Sequence, residues 1–138
     1  LIRTNEISSY ASKVSAIPEV RTFLLELQRD MARKNNVIMD GRDIGTVVLP
    51  NADVKIFLTA TAEERANRRY KELSEKPNCP CYEEILSDIK ERDKNDMNRP
   101  VAPLKQADDA VLVDSTHLTL QQSADKIRDI ILEKTGER

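Results

Sequence analysis

The sequence predicts an α/β fold with a parallel sheet, because short apolar runs alternate with longer amphipathic segments. Strands are expected at Val37–Met39, Val54–Leu58 and Ala110–Val113, where apolar or β-branched residues follow one another. The segments around these runs carry apolar residues at helical spacing. Such alternation of strands and helices is typical of parallel α/β sheets. Three short strands are few for such a sheet, so we expect it to be incomplete.

Length and composition favour one domain spanning residues 1–138, with 39% hydrophobic and 33% charged residues. The net charge is −2, so no overall field attracts nucleic acid or an anionic membrane, and we expect neither as a partner. An anion site would have to be built from arginines gathered locally. The sequence shows no membrane-spanning run or secretory signal pattern, and a cytoplasmic location is expected.

The two cysteines, Cys79 and Cys81, are expected to remain thiols, because a disulfide between positions so close would be strained. The single histidine, His117, is distant in sequence, so no metal site is expected. The chain starts at Leu1 rather than at a methionine, and we therefore expect a fragment of a longer protein.

The first two helices are expected from Thr4 or Asn5 to just before Pro18, and from Pro18 to about Asn35. The second helix is expected to pack on the core through a continuous apolar stripe made of Val20, Phe23, Leu24, Leu27 and Met31. Ser12 and Arg21 lie off the apolar stripes. By spacing alone they are ordinary surface residues.

A charged segment, Asp40-Gly41-Arg42-Asp43, follows the first expected strand. Ligands of parallel α/β sheets bind beyond the carboxyl ends of strands, where such side chains meet. Arg42 can bind a phosphate or carboxylate, and Asp43 can accept a hydrogen bond from an amine or hydroxyl group. Two alternatives remain open, a salt-bridged turn and an Asp-Gly hairpin between two apolar runs.

The third helix is expected from Thr61 to about Ser74, starting with a capping box between Thr61 and Glu64. Arg65, Arg68 and Arg69 share one face of this helix, because they are spaced by three and four residues. This face is either solvated and balanced by neighbouring glutamates, or it binds an anion. Spacing does not decide between the two.

The segment from Ser74 to Tyr82 contains two prolines between helices, and we interpret residues 70–82 as a lid loop. The next helix, Tyr82 to Asn98, carries a stripe that is apolar in its first half and charged in its second half. The stripe consists of Ile85, Ile89, Arg92, Asp96 and Arg99. Its charged half is expected to face a polar interior space, or alternatively to extend past the core into water.

The last helix is expected to begin with a capping box from Thr119 to Gln122 and to stop at Gly136. Its buried face is expected to consist of Leu120, Ala124, Ile127 and Ile131.

These residues, taken together, resemble the bacterial-type cytidylate kinases, a family of P-loop nucleoside monophosphate kinases. The resemblance rests on Ile2-Arg3-Thr4, Asp40-Gly41-Arg42-Asp43-Ile44-Gly45-Thr46-Val47-Val48, Lys55-Ile56-Phe57-Leu58, Glu63-Glu64-Arg65-Ala66 with Arg68-Arg69, Lys90-Glu91-Arg92-Asp93 with Asp96 and Asn98-Arg99, Ala102-Pro103-Leu104, and Asp114-Ser115-Thr116. It implies a three-layer α/β/α fold and transfer of the γ-phosphoryl group of ATP to CMP or dCMP, giving CDP or dCDP.

The resemblance also implies roles for residues that spacing left ambiguous. Ser12, Arg21 and Asp43 match positions that read the cytosine edge, and Arg42 and Arg99 match positions that bind the CMP phosphate. Arg92 and Asp96 match positions near the ribose and phosphates, with Arg92 counted among the catalytic residues. Arginines 65, 68 and 69 match the basic approach to the lid, where they stabilise the transferring phosphoryl group.

One departure from the family pattern is large, since the sequence contains no Gly-x-x-x-x-Gly-Lys-Ser/Thr. We therefore expect the C-terminal larger part of such a kinase, without its P-loop and N-terminal strands and with residues 1–3 as the tail of the monophosphate-binding insert. ATP and Mg²⁺ are implied as donor and cofactor, although their main binding loop is absent. The full-length protein is expected to be a monomer, and this chain alone is expected to be inactive and to self-associate.

Two alternatives are kept. The chain could derive from a kinase for another monophosphate such as UMP or AMP. It could also be a non-catalytic nucleotide-sensing or protein-interaction module that retains this fold.

Overall fold

The computed structural model describes residues 5–15, 17–75 and 79–136, without the side chains of residues 5, 6, 8, 9 and 12. The elements are α1 (Asn5–Ser15), α2 (Pro18–Lys34), a π-helical turn (Ile44–Val48), β1 (Ile56–Thr59), α3 (Ala62–Leu73), α4 (Tyr82–Asn98), β2 (Val111–Asp114) and α5 (Leu120–Thr135).

The two strands β1 and β2 pair in parallel, with Ile56 opposite Val111 and Thr59 opposite Asp114. They are connected through α3 and α4, a crossover of the kind that parallel strands require. The predicted α/β class with a parallel sheet is therefore confirmed, and the sheet has two strands within the described residues. Both strands begin and end within two residues of the expected positions.

The strand expected at Val37–Met39 is wrong. The backbone there is irregular, and Ile38 is 95% exposed. A strand needs a neighbour to pair its N–H and C=O groups, and β1 and β2 pair only with each other among the described residues. Apolar sequence alone therefore does not make a strand at this position.

The helix boundaries follow the sequence prediction closely, but two predicted buried faces are wrong. No residue of α2 is buried, and Phe23 in its apolar stripe is 72% exposed. On α5, Leu120 is 88% exposed and Ala124 is exposed, whereas Ile127 and Ile131 are half-buried. The described elements leave these faces uncovered. The prediction failed because the spacing of apolar residues shows which side of a helix is apolar but does not show whether another element packs on that side.

The buried apolar side chains come from β2, α3, α4, the π-helical turn and the residue that follows β1: Val113, Ala66, Ile85, Val48 and Ala60. The sheet is covered unevenly, since Val113 is 0% exposed while Leu58 and Leu112 are 54% and 53% exposed. Among the helices of the described ranges, none has the length and apolar character needed to cross a bilayer.

Helix ends are fixed by their own capping residues. Thr119 and Gln122 form the complete capping box expected at the start of α5, and Gly136 ends this helix with a φ of 72°. The box expected for α3 is half formed, because the Thr61 hydroxyl accepts from the amide of Glu64 while the Glu64 carboxylate accepts from Arg68. The Thr61 amide donates instead to the Thr116 hydroxyl, which attaches α3 to the loop after β2.

The start of the sheet is held by a clamp between Lys55, just before β1, and Asp109, just before β2. The Lys55 Nζ lies 2.8 and 2.7 Å from the two Asp109 carboxylate oxygens, and it also donates to the carbonyl of Pro50. The side chain of Lys55 is only 7% exposed, so its positive charge is largely removed from water and the Asp109 carboxylate is needed to stabilise it. The hydrogen bond from Lys55 lowers the pKa of Asp109.

Replacing Asp109 with asparagine should lower the melting temperature at pH 7, because Lys55 then keeps a buried charge without a counter-charge. A carboxyl group whose pKa is lowered by folding stabilises above its unfolded pKa, and this stabilisation is lost as the pH falls through the folded pKa. The difference between wild type and variant should therefore shrink below about pH 4. Thermal melts from pH 7 to 3 measure it.

The matched control is Asp108→Asn, which removes an exposed charge one residue away. An equal, pH-independent shift in both variants would show that overall charge, rather than the clamp, sets the effect.

Candidate functional site

A first cleft, of about 340 Å³, lies between α2, the segment after it and the end of α4; we call it cleft A. Its lining residues are Ser15, Pro18, Arg21, Thr22, Leu24, Leu25, Gln28, Asp40, Gly41, Arg42, Asp43, Ile44, Val47, Val48, Arg99, Val101 and Ala102. The apolar side chains come mainly from α2 and the π-helical turn, and the charged ones are Arg21, Asp40, Arg42, Asp43 and Arg99. Cleft A therefore combines an apolar wall with a charged end, as small-molecule sites do.

The wall of cleft A is fixed by Arg29 of α2. Its Nε and Nη2 atoms donate to the carbonyls of Val48 and Val47 at 3.2 and 2.9 Å. The amides of Val47 and Val48 donate in turn to the Asp43 carbonyl. The π-helical turn thereby holds Asp43 against α2, which directs its side chain into the cleft.

Asp43 joins two arginines that are distant in sequence. It is 9% exposed, and its carboxylate hydrogen-bonds to Arg21 of α2. Its other oxygen lies 3.5 Å from the Nη2 atom of Arg99. Two guanidinium groups thus share one carboxylate, which leaves one positive charge in excess at this end of cleft A.

Arg99 has an unsatisfied donor. Its Nε atom donates to the carbonyl of Ala102, which has a positive φ of 49°. Its Nη2 atom is buried and has no hydrogen-bond acceptor among the described residues. Buried donors normally find an acceptor, and one left without it costs about 1–3 kcal/mol. Because Arg99 also lines cleft A, this unsatisfied nitrogen makes Arg99 a candidate to bind an external acceptor there.

Arg42 pairs in a different direction from its neighbour Asp43. Its Nε atom donates to Asp96 of α4 at 2.9 Å, and the Nε of Arg92 lies 4.0 Å from the same Asp96 oxygen. Asp96 is 7% exposed, whereas the side chain of Arg42 is 43% exposed. The terminal nitrogens of Arg42 have no partner within the described part of the chain, so they remain available to a ligand.

Both local alternatives for residues 40–43 are wrong. Arg42 pairs with Asp96, and Asp43 pairs with Arg21 and Arg99, so the two neighbours do not pair with each other as a salt-bridged turn would require. The residues after it form a π-helical turn rather than the second strand of a hairpin.

The charged half of the α4 stripe faces inward in part. Asp96 is buried and the side chain of Arg99 is 15% exposed, as the stripe predicted. Arg92 departs from this pattern, because its side chain is 47% exposed. The long arginine side chain reaches toward water while its carboxylate partner stays inside.

A second cleft, of about 500 Å³, lies on the other side of residues 40–44; we call it cleft B. Its charged or polar lining residues are Asp40, Arg42, Lys55, Thr59, Arg65, Arg68, Asp93, Lys105 and Ser115. Arg42 lines both clefts. The segment around it therefore separates two adjoining spaces that both carry arginines.

Arg65 and Arg68 of α3 are each held by three hydrogen bonds. Arg65 donates through Nη1 and Nη2 to the two oxygens of Asp93 at 2.9 and 2.5 Å, and through Nε to the Ala60 carbonyl at 3.1 Å. The hydrogen bond to Asp93 raises the pKa of Arg65. Arg68 donates to Glu64 and, through both terminal nitrogens, to the hydroxyl and carbonyl of Ser115.

The two interpretations of this arginine face each hold in part. Glutamates balance it as one interpretation requires, since Arg68 pairs with Glu64 and Arg69 with Glu72. Arg65 and Arg68 nevertheless line cleft B, as the other requires, while Arg69 is not among the lining residues of either cleft in the described chain.

Sequence reasoning missed two residues that fix the arginines of cleft B, Asp93 and Ser115. Ser115 is 4% exposed and donates to the Thr59 carbonyl at 3.0 Å while accepting from Arg68. Asp93 is 28 residues from Arg65, so no helical spacing connects them. The usable signal was weaker, namely opposite charges on two helices that follow each other in the sequence.

Two predictions concern parts of the chain that are not described. Ser12 lies in α1, but its side chain is outside the described set. Residues 76–78 of the expected lid loop are also outside it, so the lid stays a prediction. In the described ranges, Cys79 and Cys81 are thiols and no group of three or more His, Cys, Asp or Glu side chains is arranged to hold a metal ion.

Replacing Asp43 with asparagine should lower the free energy of unfolding by about 2–4 kcal/mol, since Arg21 and Arg99 then remain half-buried without a counter-charge. Asp40→Asn is the control, because it removes an exposed charge from the same segment and should change stability by less than about 0.5 kcal/mol. Urea denaturation of both variants measures the difference. Equal values would mean that the Asp43 ion pairs contribute nothing to folding.

Comparison with known proteins identifies the family. The family model described as Cytidylate kinase matches residues 1–133. A protein named Cytidylate kinase from Caldicellulosiruptor saccharolyticus is 53% identical over 98% of this chain and 60% of its own length. Cytidylate kinase 1 of Haemophilus influenzae is 56% identical over 91% of this chain and 54% of its own length.

This chain spans about 60% of the length of the curated relatives that it matches. The matched region includes the segments that line both clefts, since it extends over nearly all of the 138 residues. On the extent of the family match and the level of identity, the chain belongs to the cytidylate kinase family.

Proposed function

We propose that this chain forms the acceptor-binding part of a cytidylate kinase, which transfers the γ-phosphoryl group of ATP to CMP or dCMP. The observation that carries the proposal is the charged end of cleft A, where Arg42 and Arg99 present unused donors beside the Asp43–Arg21 pair. Family membership supports the reaction class. A cytoplasmic location and a monomeric full-length protein are proposed with it.

The phosphate of the acceptor is assigned to Arg42 and Arg99. Guanidinium groups bind phosphate through paired N–H donors, and both arginines keep terminal nitrogens free of hydrogen-bonded partners in the described chain. The Arg99 Nη2 atom lies 3.5 Å from Asp43 without hydrogen-bond geometry, so a phosphate oxygen that displaces the side chains covering this nitrogen would satisfy it without breaking an existing hydrogen bond.

The pyrimidine base is assigned to Ser12, Arg21 and Asp43. A carboxylate accepts from the exocyclic amine of cytosine, and a guanidinium donates to its ring nitrogen or carbonyl. The hydrogen bond between Arg21 and Asp43 fixes both groups at the charged end of cleft A, next to its apolar wall. A site built to pair with an amine rejects a base that lacks one, because its buried polar groups would remain unpaired.

The transferring phosphoryl group is assigned to the arginines of cleft B, with Asp96 and Arg92 near the ribose and phosphates of the acceptor. Arg65 and Arg68 line this cleft, and Arg42 lies at its boundary with cleft A. Such an arrangement stabilises negative charge as it moves from donor to acceptor, which is most of what a protein contributes to phosphoryl transfer. Arg69 is retained as a further catalytic candidate, although here it pairs with Glu72.

Mg²⁺ is typical of this chemistry, and in the described residues no group of three or more His, Cys, Asp or Glu side chains is arranged to hold a metal ion. The sequence of this chain also lacks the glycine-rich loop that supplies the backbone amides, the lysine and the hydroxyl group for the ATP phosphates. We therefore assign no step to Mg²⁺ here. The chain alone should bind the acceptor without aligning the donor, and alignment is what lowers the barrier.

Isothermal titration of this chain at low salt should show that CMP binds more tightly than AMP. Arg42→Ala should weaken CMP binding by about tenfold or more, because it removes a charge-assisted phosphate contact. Arg33→Ala removes an exposed arginine of α2 outside both clefts and serves as the control. Equal or tighter binding of AMP would indicate a kinase for another monophosphate.

Joining this chain to the part of the Caldicellulosiruptor saccharolyticus relative that it does not match should give CMP-dependent release of ADP from ATP. The chain alone should give none, because the donor phosphates are not held in line with the acceptor. A coupled ADP assay compares the two proteins at equal concentration. Turnover by the chain alone at the rate of the joined protein would overturn the assignment of the donor site.

A further inference from the structure

Asp93 of α4 contacts Arg65, one of the two arginines of cleft B that use three of their donors within the protein. A guanidinium has five N–H groups, and Arg65 uses one on each nitrogen for Asp93 and Ala60. One N–H on each terminal nitrogen is left over among the described contacts. The side chain of Arg65 is 38% exposed and lines cleft B, so these two donors face solvent or a ligand.

The orientation of the two remaining donors is set from two sides. The paired contact with Asp93 fixes the plane of the guanidinium, and the Ala60 carbonyl fixes its rotation about the side-chain axis. Asp93 is itself 23% exposed at its side chain and lies on α4, which packs against α3. Further contacts between the helices come from Lys90 with Glu63, at 2.8 Å, and from the edge-on rings of Tyr70 and Tyr82.

Asp93 has an unfavourable effect on any anion in cleft B, because its own charge is negative and lies beside the arginine that would attract the anion. A residue whose only role was to recruit phosphate would not be an aspartate at this position. The compensating effect is geometric, since a guanidinium fixed in advance loses less entropy when it binds the reacting group. The charge of Asp93 affects how tightly the anion binds, and therefore KM, whereas the fixed orientation of Arg65 affects the rate of the chemical step, and therefore kcat.

We propose that Asp93 is a positioning residue for phosphoryl transfer: it holds the Arg65 guanidinium in an orientation that presents one of its remaining N–H groups to the transferring phosphoryl group in cleft B. This inference rests on the proposed function, because it takes Arg65 to contact that group. Asp93 acts through Arg65 and contacts neither substrate. Its removal should therefore lower kcat more than it raises KM.

The first test uses this chain alone and inorganic tripolyphosphate as the probe. NMR of the arginine Nη groups should show separate, slowly exchanging signals for Arg65, because two hydrogen bonds to Asp93 oppose rotation about its Nε–Cζ bond. Asp93→Asn should merge these signals, while Asp88→Asn, an exposed change on the same helix, should leave them separate. Tripolyphosphate should shift the Arg65 signals in the unchanged chain and bind Asp93→Asn at least as tightly.

The second test uses the joined protein described above. Asp93→Asn should lower kcat by about 10- to 100-fold, as expected for a misplaced charge, while KM for ATP changes by less than about threefold. Asp93→Glu should recover part of kcat, and Asp88→Asn should leave it unchanged. In an Arg65→Lys background, Asp93→Asn should have little further effect, because the residue it positions is already altered.

Loss of kcat that merely follows a lower melting temperature, with no recovery by Asp93→Glu and full additivity with Arg65→Lys, would overturn the inference. Arg65 signals that remain separate in Asp93→Asn would overturn it as well. If the joined protein is inert with the unchanged chain, the proposed function fails, and the NMR experiment still decides whether Asp93 orients Arg65 toward a polyphosphate.

Discussion

Two nearly buried carboxylates, Asp43 and Asp96, hold the charged part of this structure together. Asp43 lies near Arg21 and Arg99, and Asp96 lies near Arg42 and Arg92. Arg42 and Asp43 are adjacent in sequence, so residues 40–43 connect the two carboxylates. Buried charges are tolerated only when they are paired, so these contacts constrain where α2 and α4 can lie. The two clefts on either side of residues 40–44 follow from that constraint.

Local chemistry made some features predictable and long-range packing made others unpredictable. Helix ends are set within one turn, so Pro18, Thr119 and Gly136 could be assigned from the sequence. A strand forms only where a neighbouring strand can pair with it, and the sequence of a segment does not show whether such a neighbour exists. The strand prediction was therefore wrong at Val37–Met39, whereas it was right for the two segments that form β1 and β2. Periodicity likewise predicted an apolar face on α2 without showing that any described element covers it.

The candidate site shows the same division. Residue type and helical spacing were enough to select the arginines of α3 and the charged half of α4. They could not show that adjacent Arg42 and Asp43 pair with different helices, or that Asp93 lies against Arg65. Those contacts join positions separated by 22, 54 and 28 residues, and such distances are set only by the tertiary fold. Family resemblance, rather than spacing, supplied the roles of Ser12 and Arg21.

The arginines of the two clefts are not equally held, and the difference follows the work each is proposed to do. Arg42 uses one donor and is 43% exposed, so it can move onto a phosphate at small cost. Arg65 and Arg68 each use three donors, so they are fixed before any ligand arrives. A group that binds substrate benefits from adaptability, whereas a group that stabilises a short-lived charge gains only if it needs no rearrangement at that moment. The uneven hydrogen bonding therefore supports the proposal that the acceptor is captured on the side of cleft A and the moving charge is stabilised on the side of cleft B.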